Sequence, residues 1–248
     1  MSRLPLEVCV DTIEGAFTAA ANGADRIELC AALSEGGLTP SAGFMTACAE
    51  VPVPVYAMIR PRGGDFCYSE DEKSLMVRDI EAAEKAGLAG VVIGAVTADY
   101  ELDATFLSSA IAGTSLPATL HRAFDTLTDL ERGVNDAIDL GFERILTSGR
   151  ATRAELGLTD LAAAVRQSAG RISIMAGSGV TAQNAARILR GTGADELHAS
   201  CSSRLAVPTP ESPDCRLGFV QPNGAKMTDG TLVKSLRTAI DQFMETAA

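Results

Sequence analysis

The chain is 248 residues long, 46% hydrophobic, and carries 32 acidic against 21 basic side chains, for a net charge of −11. That balance excludes broad contact with nucleic acid or an anionic membrane, both of which recruit cations, and the length suits one α/β barrel better than two domains. No stretch reaches the roughly 20 apolar residues of a membrane span, and the N-terminus lacks a signal-peptide layout; a cytoplasmic chain is expected, with its six cysteines as free thiols instead of a disulfide framework.

Pro5 opens the first apolar segment, Leu6 to Val10, where a missing backbone donor costs least. Asp11 with Glu14 then reads as a capping box, and Ile13, Ala16, Phe17 and Ala20 recur at helical spacing until Asn22-Gly23 stops the helix. The junction Gly23-Ala24-Asp25-Arg26-Ile27 opens a second strand ending Glu28-Leu29-Cys30. Pro54 precedes a third, Val55 to Ile59, and Gly87-Leu88-Ala89-Gly90-Val91 opens a fourth. Pro117 precedes a fifth, Ala118 to His121; Leu130, Val134, Ala137 and Ile138 trace a helix up to Gly141, and Gly141-Phe142-Glu143-Arg144-Ile145 opens a sixth strand. A seventh strand ends at Met175-Ala176, a helix through Ala185, Ile188 and Leu189 lies between Thr181 and Gly191, and Gly193-Ala194-Asp195-Glu196-Leu197 opens an eighth.

The glycine junction thus recurs at intervals of roughly 50 to 65 residues, too long for one βα unit and right for a βαβα pair. Each glycine ends a helix in the left-handed conformation that other residues resist. Four pairs make a single TIM-type (β/α)8 barrel, parallel strands with outer helices, over residues 1–248, with an irregular insertion at about 201–226 before the last helix.

In such a barrel chemistry belongs at the C-terminal ends of the strands. Period-two alternation places Glu7 and Cys9 on one face of the first strand, and Glu28 and Cys30 on one face of the second. Parallel neighbours lie about 4.8 Å apart, close enough for Cys9 and Cys30 to share a metal ion if the register allows it. The third strand runs into Arg60-Pro61-Arg62-Gly63-Gly64-Asp65, and the fifth into His121-Arg122-Ala123-Phe124-Asp125. Superposing the junctions on their glycines puts His198 where Glu28 stands, and Ser148 and Ser200 where Cys30 stands. The expected mouth is ringed by Glu7, Cys9, Glu28, Cys30, Arg60, His121, Ser148 and His198, with Arg60, Arg62 and Arg122 as the cations available to the carboxylates.

Three readings stay open on residues alone. Two thiolates suit a soft cation such as Cu(I), although with no CxxC spacing Cys9 and Cys30 read equally as small buried hydrophobes; Cys48 and Cys67 read as packing, Met58 and Met175 as core. A barrel enzyme acting on a small phosphorylated or carboxylated metabolite would hold its anion at Arg60, Arg62, Arg122, Ser148, Gly149, Gly177, Gly179 and His198. It would use His121 for proton transfer, with Asp125, Glu7 or Glu28 as orienting or acidic groups. A non-catalytic scaffold oligomer would instead show a filled mouth.

The segments Leu6-Glu7-Val8-Cys9, Gly23 to Cys30, Glu35-Gly36-Gly37-Leu38-Thr39-Pro40-Ser41, Ile59 to Ser69, His121 to Asp125, Leu146-Thr147-Ser148-Gly149 and Met175 to Val180 together resemble the CutC family, named for copper homeostasis. The resemblance runs most closely from Leu6 to His198 and loosens over Ser200 to Ser203 and Pro208 to Pro222, where Cys201 and Cys215 lie. It implies a TIM-type barrel, a cytoplasmic role in handling monovalent copper, Cys9 and Cys30 as the metal ligands, and a homo-oligomer, dimer or tetramer.

Overall fold

The structure is a computed structural model that describes residues 3–204, 212–219 and 226–246. Eight parallel strands close into a barrel in chain order: β1 Leu6–Val10, β2 Arg26–Leu29, β3 Val55–Ile59, β4 Gly90–Ile93, β5 Ala118–Leu120, β6 Arg144–Thr147, β7 Ser173–Ala176 and β8 Glu196–Ala199. Closure comes from β8 against β1, with Glu7 opposite His198. Around it run α1 Ile13–Ala21, α2 Ala42–Cys48, α3 Glu70–Lys85, α4 Ala104–Ala112, α5 Leu130–Asp139, α6 Leu158–Ser168 and α7 Ala185–Thr192. Beyond β8, the expected irregular insertion contains an antiparallel pair, β9 Ser202–Arg204 and β10 Lys226–Thr228, and a short helix α8 Pro213–Arg216, before α9 Gly230–Thr246 packs against α1 and α7.

The repeated junction has one geometry. Gly23, Gly87, Gly141 and Gly193 all take positive φ, between 70° and 107°. In each case the amide two residues on, of Asp25, Ala89, Glu143 or Asp195, donates to a carbonyl at the start of the preceding strand, Leu6, Val55, Ala118 or Ile174. Asp25 and Asp195 add a side-chain bond, each accepting the N–H of Leu6 or Ile174 at 2.8 Å. Helix end and strand start are therefore fixed together.

Strands β2 and β5 each end one residue earlier than expected, at Leu29 and Leu120, and two helix boundaries also differ. Thr12, not Asp11, caps α1 by accepting the Gly15 N–H, because the Asp11 carboxylate instead accepts the Leu33 N–H across the mouth. Helix α7 runs through Gly191 to Thr192 and ends at Gly193; packing carries it past a glycine whose φ is ordinary.

Alternation sorts the strands' side chains into two sets. Leu6, Val8, Val10, Ile27, Leu29, Ala57 and Ile59 face outward into the main core shared with the helices. The inward set is largely polar. At its lower level Arg26 bridges Glu7 and Glu196, and Arg144 meets Glu196 at 3.4 Å and Thr119 at 2.9 Å. Tyr56 lies beneath both guanidinium groups, 5.5 and 5.1 Å from its ring centroid. These side chains are buried, so an ionic layer fills the position that branched apolar residues occupy in most such barrels.

Candidate metal and ligand site at the barrel mouth

One level above that layer, the β1–β2 register sets Cys9 opposite Glu28, and closure brings β8 alongside. Cys9 Sγ, a Glu28 carboxylate oxygen and a ring nitrogen of His198 all lie within 4.8 Å of one another, the only such group among the described residues. His198 Nδ1 meets Glu7 Oε1 at 2.9 Å, which leaves Nε2 facing Glu28 Oε2 at 3.7 Å. A carboxylate that fixes one imidazole nitrogen so that the other faces a cation is the usual support of a histidine ligand.

The electrostatics follow from burial and these pairings. Burial alone pushes the Glu7 carboxyl up, but the Arg26 charge and the His198 hydrogen bond outweigh it and hold it at about 2. For His198, burial opposes the charged ring, yet Glu28, Cys9 and Glu7 raise it well above the ordinary histidine range. Burial pushes the Cys9 thiol up against the pull of His198, while burial and the Glu28 charge push Cys30 well up. Glu28 is also raised, by burial first, and its Oε1 has no hydrogen-bond partner. Metal-free, the cluster therefore keeps its thiols protonated. An incoming cation would displace those protons and the extra one on the His198 ring, balance the Glu28 charge and satisfy its unpartnered oxygen, so the donor set fits a metal ion.

Cys30 directly follows β2 and does not join that group. Its Sγ donates to Glu28 Oε2 at 3.6 Å, and it is covered by the Glu35-Gly36-Gly37 loop: a Cβ on Gly37 would stand 3.0 Å from Cys30 Sγ. Arg60 clamps the loop by donating to the carbonyls of Glu35 and Gly37, and to that of Gly64. Both thiols therefore adjoin one carboxylate, Cys9 from the cavity and Cys30 from behind the loop.

A cavity of about 910 Å³ opens over the cluster, walled by Cys9, Glu28 and His198 below and by Arg60, His121 and the Ser178-Gly179 loop at the sides. A filled mouth, the mark of a pure scaffold, is not what the strands build. His121 Nδ1 accepts the Ala123 N–H at 3.1 Å and Nε2 has no partner. Burial, reinforced by Arg60, lowers this ring to about 3, so it stays neutral.

Other expected residues are engaged elsewhere than in the cluster. Arg62 lies outside it, bonded to Glu72 and Asp65. Arg122 reaches the wall, but its guanidinium is engaged by Asp125 and by Ser148 Oγ at 2.8 Å. Asp125 does not touch His121; it gathers Thr147 Oγ1, the Ser148 and Arg150 amides and Arg122, which fixes the loop after β6. Gly149 makes room for Gly157, and Gly177 for Leu146 and His198. Ser148 is fully buried. Phe66, Arg204 and Lys226 line the cavity without having been singled out; the last two come from the β9–β10 pair, whose sequence shows no strand alternation.

The CutC family model matches residues 4–203. A CutC family protein of Rhizobium meliloti is 50% identical over 243 residues, 97% of this chain and 98% of its own, and one from Vibrio cholerae serotype O1 is 52% identical over 81% of each chain. The solved structure of a Streptococcus agalactiae CutC protein, described in terms of copper homeostasis, superposes with a TM-score of 0.76 at 31% identity, covering 79% of this chain and 98% of that one. Phosphoribosylanthranilate isomerase of Thermotoga maritima, at 14% identity and a TM-score of 0.58, shares the barrel fold alone.

Proposed function

Since the chain belongs to the CutC family, one solved relative of which is described in terms of copper homeostasis, we propose that it binds monovalent copper at the barrel mouth, as cargo, through the Cys9 and Cys30 thiolates with His198 alongside. The observation that carries this reading is the placing of both sulfurs against Glu28, Cys9 in the 4.8 Å cluster and Cys30 at 3.6 Å. Sulfur and imidazole discriminate in favour of Cu(I), whereas a carboxylate alone does not. Glu28 balances the charge, and Glu7 orients His198. A cytoplasmic setting, where thiols stay reduced, and a homo-oligomer belong to the same proposal.

The test is competition of the reduced protein against a Cu(I) chelator. Cys9→Ser and Cys30→Ser together should abolish tight binding, and wild-type affinity should climb with pH as the raised thiols give up their protons. A double variant that holds Cu(I) as tightly as the wild type would remove the basis of the reading.

A further inference from the structure

The cavity is far larger than one metal ion needs. About 910 Å³ falls within the range of pockets that enclose whole metabolites, roughly 300–1,000 Å³. Its walls also hold polar groups that the metal cluster does not use. Arg60 is 6% exposed, yet no carboxylate lies within 4.0 Å of it among the described residues. Its N–H groups meet backbone carbonyls, and Nε meets nothing. A buried cation without an anion is costly unless something supplies the opposite charge.

Beside it, Phe66 stacks 5.1 Å from the Arg60 guanidinium and 4.9 Å from the His121 ring, so the three form one continuous wall. His121 is 3% exposed. Because its Nδ1 is the acceptor for Ala123, the proton of the neutral ring sits on Nε2, a donor with no acceptor. On another side of the cavity, Ser178 and Gly179 both take positive φ, 74° and 72°, and their amides find no partner among the described residues. Arg204 and Lys226 add positive charge to the rim. Arg60, Arg122, Arg204 and Lys226 thus line the cavity alongside the carboxylates of Asp11 and Glu28, a local excess of positive charge in a chain of net charge −11.

We propose that this cavity binds a small organic anion, carrying a phosphate or a carboxylate, above the Cys9–Glu28–His198 cluster. Arg60 supplies the compensating charge, the His121 Nε2–H a hydrogen bond to the acidic group, and the Ser178 and Gly179 amides the donors for a second oxygen. This ligand is distinct from the copper cargo and does not depend on it.

Titration calorimetry on the full, metal-free, reduced chain tests it, with ribose 5-phosphate, malate and uncharged ribose as probes. At least one of the two acids should bind with Kd below about 1 mM, ribose should not, and which acid wins distinguishes phosphate from carboxylate. Arg60→Met also removes the clamp on the Glu35–Gly37 loop, so His121→Asn is the sharper variant: asparagine keeps an acceptor for the Ala123 N–H and deletes the Nε2 donor. It should weaken the acid at least about tenfold. The proposal is overturned if neither acid saturates, if ribose binds equally well, or if His121→Asn binds the acid as tightly as wild type. Cu(I) affinity is measured separately, so failure of the metal reading and failure of this one are told apart.

Discussion

Arg26 shows how much a single inward side chain can decide. It is nearly buried between two carboxylates, Glu7 and Glu196, and their charge drives its pKa upward despite the opposing effect of burial. Removing the shared partner leaves two desolvated carboxylates with less compensation, Glu7 from His198 and Glu196 from Arg144 alone, and breaking such a buried pair costs about 3–5 kcal/mol. Arg26→Met should therefore lower unfolding free energy by about that much, read as a shift in urea midpoint at constant slope. Parity along the strands made Glu7, Cys9, Glu28 and His198 legible as inward residues. Arg26, Arg144 and Glu196 follow the same parity but stand at strand starts, within the glycine junctions, where a charge reads as solvated. Only closure of the barrel places them inside. Cys9 and Cys30 were legible as neighbours, whereas the Gly37 cover that separates Cys30 from the cavity depends on a loop that periodicity does not describe.

Among the elements, the four glycine joints carried the fold. They were readable because a helix stop and a strand start coincide within five residues, a conjunction with few alternative structures. Gly141 isolates the conformational part of their role: at φ 85° an added Cβ meets nothing within 4 Å. Gly141→Ala should cost about 1–2 kcal/mol from backbone strain alone, lowering Tm by about 2–8 °C. Gly43 in α2 is equally open but has no positive φ, so Gly43→Ala should raise Tm slightly through helix propensity. Equal effects of the two substitutions would show that the left-handed conformation is not what the joints require. The cap at Thr12 and the passage of α7 through Gly191 escaped the sequence reading for a common reason: tertiary contacts, the Asp11–Leu33 bond in one case and packing in the other, outweighed a local preference.

At the level of the whole molecule, the two histidines of the chain occupy opposite electrostatic situations a short way apart. His121, at about 3 in the folded state against an ordinary 6.5, is neutral when folded and prefers to protonate when unfolded. Its contribution to stability is complete above pH 6.5 and is lost as pH falls from 6.5 towards 3. His121→Asn should flatten the decline of stability across that window, measured as urea midpoints between pH 7 and pH 4. An unchanged slope would place the acid sensitivity elsewhere.

The ionic layer under the mouth has a consequence for traffic. Glu7, Arg26, Arg144 and Glu196 are buried and none of them lines the cavity, so the ionic layer is a floor that closes the barrel beneath it. Cys9, Arg60 and His121 all face that one cavity. Were both proposed ligands to bind there, a metabolite seated last would act as a stopper, slowing the escape of whatever the sulfur holds.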